Sequence, residues 1–163
     1  GSGLVTPSCY NAQDQTVVSG CRLPVEKVME KALEKGAKRA VKLPLSAPFH
    51  CALLEGAAQR LAGELDKLNV RGCAIPVIPN CDPDTLHSAS TTRALLVRQI
   101  YQPVRWLETI EKMTAMGIDT VIEVGPKRVL SVLALRINKG LRILNVENLE
   151  SLQRTVEVLS GKS

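Results

Sequence analysis

One histidine stands where it could act as a base. His50 closes the run Leu43-Pro44-Leu45-Ser46-Ala47-Pro48-Phe49-His50, with Cys51 directly after it. An apolar stretch, Ala40 to Leu45, ends at Ser46. Pro48 occupies what would be the first turn of a helix, a position that tolerates a missing N–H. Leu53, Leu54, Ala57, Ala58, Leu61, Leu65 and Leu68 follow at helical spacing. The pattern predicts a long amphipathic helix from Pro48 to about Leu68, with His50 in its first turn just after a strand. The positive end of a helix dipole disfavours imidazolium, and a neutral histidine at such a junction suits general-base chemistry. Position alone is also what a capping or core histidine would show.

The elements around that histidine read as an α/β protein. Leu4 to Tyr10 predicts a strand with Pro7 inside it, and Asn11 to Asp14 is turn chemistry. Gln15 to Ser19 predicts a second strand, pairing back as a hairpin. Pro24 opens a helix with Val25, Val28, Met29, Ala32 and Leu33 on one face, ended by Gly36. Lys38 to Leu45 predicts a third strand. Strand, strand, helix, strand is three-quarters of a split βαβ sheet, so residues 1–45 read as an incomplete ferredoxin-like subdomain whose chain starts partway through. Residues 46–163 read as a second part. Ala74 to Pro79 predicts a short strand, Asn80 to Ser90 a polar loop, and Thr92 to Tyr101 a helix broken by Pro103. A helix over Val104 to Met116, a buried-type strand over Asp119 to Val124, a helix over Val129 to Ile137, a strand over Arg142 to Val146 and a helix over Leu149 to Leu159 complete the chain. Helices alternating with short apolar strands argue a parallel sheet.

Composition narrows the classes. The 163 residues are 45% hydrophobic and 23% charged, a globular balance with an aliphatic core, since aromatics are only 2%. The net charge is +5, with basic residues grouped at Lys35–Lys42 and Lys127–Arg142. No aromatic platforms lie between them, which argues against single-stranded nucleic acid and leaves an acidic protein or a phosphorylated cofactor as the partner such charge would attract. The five cysteines, at 9, 21, 51, 73 and 81, form no Cys-x-x-Cys pair and no zinc-ligand spacing. Free thiols in a reducing compartment are the expectation, either bacterial cytoplasm or an organelle matrix. No metal site and no membrane span are expected. Cys51 adjoins His50, but neighbours in a helix point to different sides, so the two make a poor nucleophile–base pair.

Four motifs in order give these residues a context. Ser46-Ala-Pro-Phe-His50-Cys51 resembles the histidine motif of malonyl-CoA:acyl carrier protein transacylases and of the related acyltransferase domains of fatty-acid and polyketide synthases. Asn11-Ala-Gln-Asp-Gln15-Thr-Val-Val-Ser-Gly20 resembles the family's Asn-x-Pro-x-Gln-x-Val-x-x-Gly turn, with Gln13 where proline is usual and Asp14 where glycine is common. Leu96-Val-Arg-Gln99-Ile-Tyr-Gln-Pro103-Val-Arg-Trp106 resembles its Val-Arg-Gln…Pro-Val-x-Trp segment. Ile122-Glu123-Val-Gly-Pro126 resembles its Glu-Val-Gly-Pro signature, here followed by Lys127 and Arg128 in place of another glycine. The match spans about residues 5–138.

The resemblance implies the C-terminal part of an α/β-hydrolase-like acyltransferase core plus the incomplete ferredoxin-like subdomain. It implies that His50 is the general base, and that the main-chain carbonyl of Gln99 orients its imidazole, a role that only has to hold a tautomer. Asn11 and Gln15 match residues near the active-site entrance. Phe49, before the histidine, matches a position where a bulky ring goes with malonyl and a smaller residue with methylmalonyl. Malonyl-CoA is then a substrate rather than a cofactor, acyl carrier protein the partner, and the missing N-terminal half of the same enzyme a second partner. Acyl transfer by covalent catalysis needs a nucleophile, a base and oxyanion donors. Ser19, Ser46 and Ser131 all lack the flanking glycines of a strained Gly-x-Ser-x-Gly elbow. The nucleophile, the oxyanion loop and the family's carboxylate-gripping arginine are therefore expected in the other half, and these residues alone are expected to be inactive. Glu123-Val-Gly-Pro126 reads as architectural, and His87 as a solvated loop residue. Against malonyl transfer in fatty-acid biosynthesis stand three rival readings: a non-catalytic fragment that binds a partner, the acyltransferase domain of a polyketide synthase, and a hydrolase of similar fold.

Overall fold

The computed structural model describes residues 3–161. The chain divides into two compact units, one running up to Trp106 and the other from Leu107 onward.

In the first unit, β1 (Val5–Ala12) and β2 (Gln15–Gly20) pair antiparallel, as the alternating sequence predicts. The turn is tighter than expected: Asn11 lies inside β1, Ala12 pairs with Gln15, and Gln13 and Asp14 alone make the turn. Gly20 then takes φ +155, and a Cβ there would stand 2.1 Å from the Leu4 carbonyl oxygen. That oxygen accepts the Cys21 amide at 2.7 Å, closing the hairpin. The helix α1 (Arg22–Glu34) carries Pro24 in its first turn, where a missing amide costs nothing. It ends in a pair of reversed bonds, Gly36 N–H to the Leu33 carbonyl and Ala37 N–H to the Ala32 carbonyl, with Gly36 at φ +94, the αL stop that glycine adopts freely.

Residues 38–45, expected as a third strand, form no strand and join no ladder, and the Leu45 amide turns back to the Leu43 carbonyl, so the split-βαβ arrangement is a hairpin plus one helix among the described residues. A strand is defined by its neighbour, and Val41, Leu43 and Leu45 stay about half exposed here. Ala74 to Pro79 likewise makes no strand. The long helix expected from Pro48 is shorter: a 3-10 turn at Ala52–Leu54 leads into α2 (Glu55–Leu65), whose Ala58 and Leu65 are buried. α2 packs on α3 (Thr92–Tyr101), which buries Leu95. Arg93 clamps the pair, its guanidinium donating to the Leu65 and Leu68 carbonyls at the open end of α2.

The second unit holds α4 (Trp106–Ala115) from its second residue onward, β3 (Thr120–Val124), α5 (Val129–Ile137), β4 (Arg142–Val146) and α6 (Leu149–Leu159). β3 and β4 pair parallel from Thr120↔Arg142 to Val124↔Val146, with α5 as the crossover helix that parallel strands require. The Glu123 carboxylate reaches over the start of α5, accepting the Leu130 amide at 3.1 Å and the Ser131 amide at 2.8 Å. α6 opens with a reciprocal cap between Asn148 and Ser151. No helix among the described residues is long and apolar enough to cross a membrane.

Candidate active site

His50 does not sit in a helix. Its φ is +58, in the left-handed region that side-chain-bearing residues rarely occupy, and α2 begins only at Glu55. The expectation of a first-turn histidine under a helix dipole is therefore corrected. Pro48 and the reversed backbone at His50 interrupt any helical ladder, and an extended Cys51 starts the 3-10 turn. A strained backbone is kept only where surrounding contacts over-determine it, and such positions cluster at functional sites.

One of those contacts is direct. His50 Nδ1 lies 2.9 Å from the main-chain oxygen of Gln99, 49 residues later in the sequence. A carbonyl can only accept, so Nδ1 carries a proton, and in the neutral imidazole Nε2 is then the nitrogen with the lone pair. Gln99 lies in the last turn of α3. Its carbonyl would bond the amide of residue 103 in a continuing helix, but that residue is Pro103, which has none. The chain turns away at Gln102, which is extended. Val104 then hydrogen-bonds both Ser8 and Tyr10 of β1, at 2.8 Å each, and the Arg105 amide donates to the Asn80 carbonyl at 2.7 Å.

An open depression of about 340 Å³ lies beside the imidazole, lined by Phe49, His50, Leu54, Ala57, Asn80, Gln99 and Ile100. Three residues expected at the site, His50, Gln99 and Phe49, thus meet in one place. Phe49 leaves 47% of its surface exposed. Asn11 and Gln15 flank the hairpin turn and are not among the lining residues. Asn80 is a lining residue that sequence reasoning passed over as part of a polar loop; the one signal was a polar side chain directly after the proline-bounded run Ala74–Pro79.

The neighbouring groups are occupied. Cys51 is buried, and its thiol donates to the Pro48 carbonyl at 3.1 Å, away from any role as a nucleophile for His50. His87, expected to be solvated, is half-buried and pairs through Nδ1 with the Thr92 hydroxyl at 3.2 Å. Arg98 ties the preceding loop to α3 through Asp82 at 3.1 Å. Burial raises the Asp82 carboxyl, but bonds from Arg98 and Thr85 outweigh it and leave the group below its ordinary value. Ser131 is buried in α5 and spends its hydroxyl on Glu123. No cluster of three or more potential metal ligands occurs among the described residues.

Comparison with known proteins gives the class first: the fold is that of the α/β acyltransferases. A malonyl CoA-acyl carrier protein transacylase from Coxiella burnetii shares it at a TM-score of 0.91 and 36% identity, over 95% of this chain and 49% of that one. A malonyl-transacylase solved in complex with its type II PKS acyl-carrier protein matches at 0.92 and 38% identity, over 96% and 50%. In sequence, the malonyl CoA-acyl carrier protein transacylase of Bacillus subtilis is 37% identical over 160 residues, which is 98% of this chain and 50% of that protein. The Escherichia coli K12 relative is 40% identical over 134 residues. No family model matches the chain. The chain belongs to the malonyl-CoA:acyl carrier protein transacylase family, and it spans about half the length of the curated relatives it matches.

Proposed function

We propose that these residues form the base-bearing, C-terminal part of an enzyme that moves a malonyl group from coenzyme A to the pantetheine thiol of acyl carrier protein, in fatty-acid or polyketide synthesis. The observation that carries this reading is the 2.9 Å contact between His50 Nδ1 and the Gln99 carbonyl, beside an open depression. With Nδ1–H committed to that carbonyl, Nε2 is free to take a proton.

In the complete enzyme His50 takes the proton of a serine hydroxyl contributed by the other half. The serine oxygen attacks the malonyl thioester carbonyl, the C–S bond breaks, and the leaving thiolate receives the proton from His50. The carrier protein's thiol then gives its proton to His50 and attacks the serine ester, and the serine oxygen recovers the proton as the new thioester forms. Phe49 supports malonyl over its methyl-substituted relative, because its ring at the mouth of the depression competes with an extra methyl; one methyl is worth about 10–200-fold. Asn11 and Gln15 would contact substrate only from beyond the lining residues, at the entrance.

The test compares the 163 residues alone with the complete enzyme, using labelled malonyl-CoA and holo acyl carrier protein. The complete enzyme transfers label to the carrier through an acyl-serine. The 163 residues alone take up no covalent label. A label on any serine or cysteine of this chain would overturn the assignment of the nucleophile to the other half, and failure of the complete enzyme to transfer malonyl would overturn the function.

A further inference from the structure

The turn that carries His50 is tied down by the residue after it. Cys51 is 2% exposed and extended, at φ −145 and ψ 166. Its thiol donates to the Pro48 carbonyl, three residues back, at 3.1 Å. In a continuing helix that carbonyl would accept the amide of Ala52. Here His50, at φ +58, turns the chain out of the helical path, and the Cys51 side chain supplies the donor. The bond closes a ring across Phe49 and His50. Main-chain bonds fix the chain on either side of it. The Phe49 amide donates to the Ala47 carbonyl at 3.0 Å, and the Leu54 amide to the Cys51 carbonyl at 3.0 Å.

We propose that Cys51 is a positioning residue, whose thiol holds His50 in the left-handed conformation that aims Nδ1 at the Gln99 carbonyl. This rests on the malonyl-transfer reading, in which His50 is the base. A left-handed residue that carries a side chain is strained, and it persists only where its surroundings over-determine it. Gln99 holds the imidazole end, at 2.9 Å. The backbone end needs a hold of its own. The unstrained alternative, a right-handed φ of about −63°, turns the chain at His50 by about 120°. That rotation carries Nδ1 off the Gln99 oxygen. Without that acceptor the neutral ring divides its proton between the two nitrogens, and Nε2 is the open base only part of the time. A thiol is a weak donor, but this one is out of water, where no solvent acceptor competes for it.

The experiment uses the complete enzyme with two substitutions at Cys51. Cys51→Ser keeps a donor. Cys51→Val fills the space and suits extended backbone, but has no donor. Two readouts are taken. One is malonyl transfer from malonyl-CoA to holo acyl carrier protein. The other is the NMR signals of isotope-labelled histidine nitrogens at about pH 8, above the ordinary histidine range. The His50 signals are identified by their loss in His50→Ala. Wild type and Cys51→Ser should show His50 protonated at Nδ1 and should agree in kcat within about twofold. Cys51→Val should show mixed tautomers, with kcat lower by about 3–10-fold and KM little changed, the size of one lost hydrogen bond. Wild-type tautomer and kcat in Cys51→Val would overturn the proposal, since the thiol would then only fill space. So would a fall in kcat with the tautomer unchanged, or a Cys51→Ser enzyme as impaired as Cys51→Val in both readouts. A wild type that transfers no malonyl overturns the malonyl-transfer reading, while the tautomers of the variants still decide whether Cys51 holds His50.

Discussion

Pro103 stands four residues after Gln99 and leaves the Gln99 carbonyl without a helical donor, so that the oxygen is open to His50 Nδ1 at 2.9 Å. The missing amide at the end of α3 and the histidine tautomer are one device. Pro103→Ala supplies an amide that can extend α3 and compete for that oxygen. The expected outcome is a drop in kcat of the complete enzyme of about 3–10-fold, the value of one hydrogen bond, with little change in KM. Kinetics of the purified variant check it; unchanged kcat would show that the proline only ends the helix.

Gly20 meets the hairpin's closest approach, with its Cβ position 2.1 Å from the Leu4 carbonyl oxygen and φ at +155. Gly20→Ala must displace backbone as well as adopt a strained φ, and should lower stability by roughly 1–3 kcal/mol. Chemical denaturation measures it. This is the physical reason a glycine closes the Asn11-to-Gly20 motif.

Glu123 caps α5 with three hydrogen bonds, from the amides of Leu130 and Ser131 and from the Ser131 hydroxyl. Partial burial pushes its carboxyl up, but the Ser131 and Leu130 bonds and the nearby Arg128 charge outweigh this and leave it below the ordinary glutamate range. A group lowered on folding stabilises above its unfolded value and loses that contribution as pH falls through its folded value. Glu123→Ala should therefore lower Tm at neutral pH by about 2–4 °C, for a cap worth about 1 kcal/mol. The difference from wild type should shrink below the glutamate range. Thermal unfolding at pH 7 and at acid pH reads both effects.

The cysteines differ in reach. Cys73 is exposed, while Cys51 and Cys81 are only 2% and 4% exposed. Burial also raises the Cys81 and Cys9 thiols, leaving less thiolate at neutral pH. A thiol reagent on the native protein should modify Cys73 first, with Cys51 and Cys81 reacting only on unfolding. Mass spectrometry over a time course gives the order.

Elements with their own local signals were legible in the sequence. The spans Thr92–Tyr101, Val129–Ile137, Arg142–Val146 and Leu149–Leu159 follow from helical spacing and short apolar runs, each decided within a few residues. Residues 38–45 and 74–79 have strand-like composition, but pairing is a long-range event that composition does not report. The start of α2 was misplaced for a related reason. The positive φ of His50 is imposed by contacts such as Gln99, far away in the chain, and no local propensity announces it. The meeting of His50, Gln99 and Phe49 was legible only through the motifs they share with the family, and Asn80 carried no motif.

The most direct test of the account is the turnover of His50→Ala in the complete enzyme, followed as malonyl transfer to acyl carrier protein alongside the affinity for malonyl-CoA. With Nδ1 held by Gln99 and Nε2 as the base, kcat should fall by about 10²–10⁴-fold while malonyl-CoA binding changes little. Turnover within a few-fold of wild type would contradict the account and leave His50 as a structural residue of its turn.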